Sequence, residues 1–160
     1  MRGGVVPPAL LFVALACALS FAPRDRRWLA IIAAFVAACG ASWLPLPTRW
    51  IEVIFLGVWA SVVVAAAMVH LPRRPVNAVW LALALNCGLW AGASIAIAGN
   101  SLNLAEALPW LALVVPGAWL VTSNRAVAVK VVSSWLITIA ILAAVLPIVT
   151  TPGYAPDHME

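Results

Sequence analysis

Six stretches of this chain are almost free of charged side chains, and each is close to the length of a membrane-crossing helix. They are residues 3–22, 28–46, 50–69, 76–98, 107–122 and 126–149. About 20 apolar residues in a helix cover the roughly 30 Å of hydrocarbon in a bilayer. Because lipid offers the backbone no hydrogen-bond partner, and because the runs lack the two-residue alternation of a β-barrel, all six should be helical. The sequence therefore predicts an all-α, polytopic integral membrane protein with about six transmembrane helices.

The composition agrees with this fold class and excludes a soluble one. Hydrophobic residues make up 66% of the chain and charged residues 9%, whereas soluble domains are about 45–50% apolar. Residues 1–160 are predicted to form a single membrane domain that ends in a short polar tail at 150–160. The run 3–22 could be mistaken for a signal peptide. It is expected to be a retained helix, because its positive cluster follows the run instead of preceding it.

The basic residues predict the orientation of these helices. One side of the predicted membrane collects Arg24, Arg26, Arg27, Arg73, Arg74, Arg125 and Lys130, and the other side has only Arg2 and Arg49. This excess predicts that the first side faces the cytoplasm and that both termini lie outside. The formal charge of +4 then reflects membrane topology, and no nucleic-acid partner is expected. The composition, rich in alanine, arginine and tryptophan, favours a bacterial plasma (inner) membrane.

The nine tryptophans fit the same arrangement. Trp28, Trp80 and Trp119 are expected at the inner interface, and Trp43, Trp50 and Trp110 at the outer interface. Such aromatic belts are typical of membrane proteins. The remaining three, Trp59, Trp90 and Trp135, fall deep within the runs and are expected to pack between helices.

One sequence pattern occurs twice. Trp-Leu-Ala at 28–30 followed by Gly-Ala-Ser at 40–42 returns 52 residues later, at 80–82 and 92–94. The pattern indicates a parallel duplication of a two-helix hairpin, helices 2–3 and 4–5, related by an axis along the membrane normal. Helices one and six would then flank the repeated core. Chance remains an open alternative, because alanine- and leucine-rich helices share identities easily and interfaces favour tryptophan at helix starts.

Helix four contains the most informative side chains. Ala84, Gly88, Gly92 and Ala96 form a stripe of small residues that would let another backbone approach closely. Gly57 and Ser61 of helix three lie on a matching stripe, which is the expected partner. Asn86 lies on roughly the opposite face, about 15 Å into the helix. Its amide should bond another helix, since it should not face lipid; a substrate or ion contact is the alternative.

Two glutamates, Glu52 and Glu106, occupy equivalent places in the proposed repeat. Asn103 precedes Glu106 by three residues, which is the spacing of a capping box, and Thr48 is positioned to cap the third helix. A negative charge in the first turn of a helix is favoured by the helix dipole. The two carboxylates are therefore expected to serve helix ends. The alternative is a ligand or cation site at the outer mouth.

The sequence contains no recognisable catalytic, metal or cofactor motif. The three cysteines share no close spacing, and His70 and His158 fall on opposite predicted sides of the membrane, so no metal or cofactor is expected. We expect a non-catalytic subunit or accessory protein that contacts lipids and either another membrane protein or copies of itself. A small transporter or channel working as a homo-oligomer is the alternative. A membrane enzyme acting on lipid has only scattered Ser, His and Lys in its favour.

Overall fold

The computed structural model describes residues 4–72 and 75–146, apart from the side chain of Ser101. In these residues the α-helices are α1 (Val6–Leu19), α2 (Arg24–Ser42), α3 (Ile51–Met68), α4 (Asn77–Ala98), α5 (Ser101–Ala107), α6 (Val114–Thr122) and α7 (Ala126–Val145). A 3-10 turn, Thr48–Trp50, leads directly into α3, and a 3-10 segment, Leu108–Leu113, joins α5 to α6. The predicted all-α class is confirmed for this part of the chain. Arg2, Arg73, Arg74 and the tail with His158 lie outside the described residues.

We use the word rod for a helix, or helices, together with any 3-10 segment that continues them. Among the described residues, four such rods are long and apolar enough to span a membrane: Thr48–Met68, Asn77–Ala98, Leu102–Thr122 and Ala126–Val145. The apolar parts of the remaining two helices, α1 and α2, are shorter. α1 has 14 residues, about 21 Å of helix. α2 begins one turn earlier than predicted and takes the charged residues 24–27 into its first turn. A membrane protein is supported by four rods, while the count of six crossings stays a prediction.

α1 occupies the centre of the bundle. It packs against α3, α4, the α5–α6 rod and α7, and Leu11, Phe12, Leu15 and Leu19 have no exposed surface. The expectation that the first helix flanks a repeated core is therefore wrong. The physical reason lies in its sequence, because a helix that is apolar on all sides can be enclosed by other helices without burying a polar side chain.

The closest helix pair is α2 and α4, which run parallel. A Cβ added at Gly88 would meet the carbonyl oxygen of Ala34, and one added at Gly92 would meet the carbonyl oxygen of Ala38. The small-residue stripe of α4 therefore faces α2, and the expectation that it faces α3 is wrong. Alanines spaced four apart on α2, at 30, 34 and 38, are buried, so the two backbones can touch. α2 thus packs its length on α4 and not on its sequence neighbours.

Equivalent positions of the repeated pattern have different surroundings. Gly92 is pressed against α2, whereas its counterpart Gly40 has no atom within 4 Å of an added Cβ. Trp80 is 2% exposed, whereas its counterpart Trp28 is 53% exposed. The two copies therefore do not use the same faces, and the duplication stays a prediction.

The deep tryptophans divide into two groups. Trp59 is buried and Trp90 is partly buried between α3 and α4, as expected from their depth. Trp135 is 71% exposed, so the prediction that it packs between helices is wrong. α7 lies at the edge of the bundle, and Trp135 is on its outward face. Depth along a helix does not determine which face a side chain occupies.

The fifth rod departs from α-helical geometry where its prolines require it. It starts at Ser101, earlier than the predicted 107, and runs to Thr122 through the 3-10 segment Leu108–Leu113. Pro116 lacks an N–H, and its ring would clash with the carbonyl four residues earlier, at Ala112. Tighter 3-10 turns are a common way of accommodating such strain.

The close approach of α2 and α4 predicts opposite results for two glycine-to-alanine changes. Alanine is favoured over glycine within a helix by about 1 kcal/mol, so Gly40→Ala should leave stability unchanged or raise it. Gly88→Ala should instead lower the free energy of unfolding by about 1–3 kcal/mol, because the new methyl group meets the Ala34 carbonyl. Thermal unfolding of both variants in the same detergent measures the difference. Equal behaviour of the two would contradict the packing.

Candidate functional site

A hydrogen-bonded group of polar side chains lies between α3 and α4. Nδ2 of Asn86 donates a hydrogen bond to Oγ of Ser61 at 2.9 Å, and Nε1 of Trp90 donates to Oδ1 of Asn86 at 3.2 Å. Ser61 is 4% exposed. The amide therefore uses both its oxygen and its nitrogen within the protein, which is how a polar side chain is accommodated away from water.

Gly57 makes room for this arrangement. A Cβ at Gly57 would overlap the six-membered ring of Trp90, so only glycine lets the indole lie across α3. Gly57, Ser61, Asn86 and Trp90 thus form one group, which we call the amide cluster. Of the five residues predicted to pack helices, Gly57, Ser61 and Asn86 meet here, and Gly88 and Gly92 lie against α2.

The amide cluster forms part of the floor of a shallow groove of about 480 Å³ between α3 and α4. Most of its lining is apolar, and it consists of Gly57, Ala60, Ser61, Val64, Met68, Val79, Ala82, Leu83, Asn86 and Trp90. The groove opens at the side of the bundle, because α1 fills the centre. Asn86 therefore lies towards the outside of the bundle and not along its axis.

The two predicted glutamate positions are both exposed and lie at the same end of the bundle. Glu52 is in the first turn of α3, as predicted. Glu106 lies within α5, whose N-cap is Asn100: its side chain accepts from the N–H of Leu102 at 3.5 Å. The predicted capping by Asn103 is therefore wrong, because the helix begins earlier.

Thr48 does not cap α3 as predicted. It begins the 3-10 turn Thr48–Trp50, which has no side-chain cap, and Trp50 occupies the N-cap of α3. Among the described residues, no group of three or more His, Cys, Asp or Glu side chains could hold a metal ion. The alternative of an ion or ligand site at Glu52 and Glu106 stays a prediction.

The sequence analysis missed a structural role for Arg27. Its Nε donates to the carbonyl of Leu19 at 3.1 Å, and one terminal nitrogen, Nη2, donates to the carbonyls of Ala22 at 3.0 Å and Ser20 at 3.3 Å. The last carbonyls of a helix have no partner inside it, and a cation near them is favoured by the helix dipole. Arg27, from the first turn of α2, therefore caps the end of α1. A basic run five residues after an apolar helix was the available signal.

A second opening lies beside this cap. We call it the arginine groove; its volume is about 730 Å³ and it is lined by Ser20, Phe21, Ala22, Pro23, Arg24, Arg27, Trp28, Val114, Val115, Ala118, Trp119, Val121 and Thr122. It lies between the end of α1, the start of α2 and the whole of α6. It is the larger of the two grooves and has a basic end, so it is the stronger candidate for a ligand.

One further polar contact occurs at the arginine-rich end of the bundle. Nε2 of His70, just after α3, lies 3.4 Å from Oγ of Ser134 on α7. The hydroxyl of Ser134 also donates to the carbonyl of Lys130, one turn earlier. Because all three residues are exposed and 3.4 Å is long for a hydrogen bond, the contact has the character of helix packing and not of a nucleophile–base pair.

The hydrogen bond between α3 and α4 can be measured by a double-mutant cycle. Asn86→Leu and Ser61→Ala each remove one partner, so each should lower the free energy of unfolding. The double variant should lose less than the sum, with a coupling energy of about 0.6–1.7 kcal/mol, as for other hydrogen bonds between membrane helices. Unfolding in mixed detergent gives all four values. Strict additivity would contradict a direct bond.

The cap on α1 predicts a difference between neighbouring arginines. Arg27→Gln should lower the free energy of unfolding by about 1–3 kcal/mol, because it leaves the carbonyls of Leu19 and Ala22 without a charged donor. Arg26→Gln removes the same charge from an exposed position and should change stability by less than about 0.5 kcal/mol. Thermal unfolding distinguishes the two. A similar loss in both variants would indicate a general effect of charge.

No family model matches this chain, and neither a curated protein nor a solved structure is detectably similar to it.

Proposed function

We propose that this chain is a non-catalytic subunit or accessory protein that packs against a larger protein in the bacterial plasma membrane. The observation that carries the proposal is the filled axis of the bundle. Leu11, Phe12, Leu15 and Leu19 of α1 are fully buried there. A transporter or channel formed by one copy would need polar groups or a water-filled space along that axis, and apolar side chains occupy it instead.

The outward face of α7 supports a protein neighbour. Trp135 is 71% exposed and Leu142 is 62% exposed. Lys130, Ser134 and Thr138 are also exposed and are spaced four residues apart, so they lie on one side of the helix. The two hydroxyls donate to the carbonyls one turn earlier, which lets them tolerate lipid. A protein surface with polar groups would accommodate the row of polar side chains better than hydrocarbon does.

The distribution of arginines supports an orientation for this subunit. Residues 24–27 begin α2 and Arg125 precedes α7. Both helix starts lie at the same end of the bundle, where Gly117 of α6 packs against Ser20. The positive-inside rule favours a cytoplasmic location for this end. Both termini then lie outside, and α1 and α2 complete six crossings.

A transporter or channel built from several copies is the alternative. It is favoured by one observation, the position of Asn86 on the floor of a groove that opens sideways. Two or more copies joined along this face would bring their amides together. In that case the pathway would run between copies and not through the axis of each one.

Association through α7 can be tested with one bulky substitution and a matched control. Thr138→Trp places an indole within the polar row, and Ile32→Trp places the same side chain on α2, at a site that is 59% exposed. The tagged variants are extracted from the native membrane in a mild detergent, and the mass of each complex with its bound proteins is measured. Thr138→Trp should reduce the amount of a larger, different partner about tenfold, since overpacking costs 1–3 kcal/mol. Ile32→Trp should retain the partner.

The same measurement can contradict the proposal. A particle made only of copies of this chain would favour the homo-oligomeric transporter. Full retention of the partner by Thr138→Trp would show that α7 is not the contacting helix.

A further inference from the structure

We propose that the arginine groove binds the phosphate head group of an anionic phospholipid, with Arg24 as its principal ligand and α6 as the wall for an acyl chain. This inference is independent of the accessory role, because none of the residues that line the groove belongs to α7. It rests on the shape of the groove, on the charge of its lining and on the hydrogen bonds that Arg27 already makes.

The lining has the chemistry that a phosphodiester requires. It contains Arg24 and Arg27, and neither Asp nor Glu occurs among the lining residues. Asp25, the one acidic residue in the first turn of α2, is not part of the lining. Guanidinium groups bind phosphate oxygens through paired N–H donors, so two arginines at one mouth favour an anion.

The two arginines contribute differently. Arg27 donates hydrogen bonds from Nε and Nη2 to the carbonyls of Leu19 and Ala22, at and just after the end of α1. These bonds fix the position of its guanidinium group. Its Nη1 donates to no acceptor among the described residues. Arg24 is exposed and is not held by such a cap, so its side chain can close over a ligand. Burial first, and the like charge of Arg24 second, lower the pKa of Arg27, and an anion between the two would relieve this repulsion.

The rest of the groove fits the remainder of a lipid. Val115, Ala118 and Val121 provide an apolar wall along α6, and Trp28 and Trp119 stand at the mouth with 53% and 59% exposure. Indole rings of this kind are enriched at the level of lipid head groups. The volume of about 730 Å³ lies in the range of small-molecule sites, about 300–1,000 Å³. A soluble phosphate ester would leave the apolar wall uncovered, so the lipid is the better fit.

The neighbouring arginines of α2 provide a matched test. Arg24→Gln and Arg26→Gln remove the same charge from exposed positions two residues apart, and only Arg24 lines the groove. Each protein is placed in phosphatidylcholine nanodiscs that contain dioleoylphosphatidylglycerol, and the phosphatidylglycerol that stays bound is counted by native mass spectrometry. Arg24→Gln should weaken retention about fivefold, the effect of one basic side chain on an anionic lipid. Arg26→Gln should retain as much as the unaltered chain.

A second pair of variants tests the shape of the groove separately from its charge. Val115→Trp adds bulk to the apolar wall without changing any charge, and Val127→Trp adds the same bulk on α7; both positions are well exposed, at 58% and 71%. Val115→Trp should lower phosphatidylglycerol retention, and Val127→Trp should not. Thermal unfolding in phosphatidylcholine alone should be the same for all four variants.

Three outcomes would overturn the inference. Equal losses for Arg24→Gln and Arg26→Gln would show a general attraction of the basic surface. Displacement of phosphatidylglycerol by soluble glycerol phosphate would show a site for free phosphate esters, without a role for the acyl chain. Equal retention of phosphatidylglycerol and phosphatidylcholine by the unaltered chain would exclude selectivity for an anionic head group.

Discussion

The arrangement depends on enclosing one short apolar helix and satisfying the backbone at its end. α1 is 14 residues long and is surrounded by the other rods, so its last carbonyls end inside the bundle. Unpaired carbonyls in an apolar setting cost about 1–3 kcal/mol each. Arg27 reaches back from α2 and donates to the carbonyls of Leu19, Ser20 and Ala22, at and just beyond this end of α1. A single side chain thus links the end of the central helix to the start of the next one.

Close packing of small residues holds α2 in place. In the proposed membrane setting, lipid tails are as apolar as leucine, so helices associate through van der Waals contact and hydrogen bonds and not through the hydrophobic effect. Glycines on α4 and alanines on α2 bring the two backbones into contact. The opposite face of α4 makes hydrogen bonds instead: Asn86 donates to Ser61 of α3, and Trp90 of the same helix donates to Asn86. α4 is therefore held to α2 by close packing of small residues and to α3 by a hydrogen bond between side chains.

The two ends and the outer surface of the bundle differ in what they offer to neighbours. At the arginine-rich end, Arg27 is committed to the fold, whereas Arg24 remains exposed beside a groove with an apolar wall. On the side of α7, exposed Trp135 stands next to a row of polar side chains. These surfaces are separate, so a lipid and a protein could be bound at the same time. Because the centre is filled, both proposed contacts are on the surface of the bundle.

The sequence by itself determined the all-α class and the approximate positions of the rods, because apolar runs of this length leave the backbone no other way to satisfy its hydrogen bonds. It also located Asn86 and the close-packing glycines, since a polar amide and a glycine stripe in such a run each restrict what can lie beside them. It could not determine which helix each face meets. α4 turned out to pack its stripe on α2, and Trp135 to face outward, because every rod here is apolar on several sides and periodicity distinguishes no single buried face.

Only the tertiary structure brought distant segments together at the arginine groove. Phe21 and Val115 lie far apart in the sequence. Both line the arginine groove, because α6 packs beside the end of α1. The cap by Arg27 arises in the same way, from a turn that folds the start of α2 onto the last carbonyls of α1. Local sequence specifies a helix through the hydrogen bonds within it, whereas contacts between helices depend on the combined shapes of all of them.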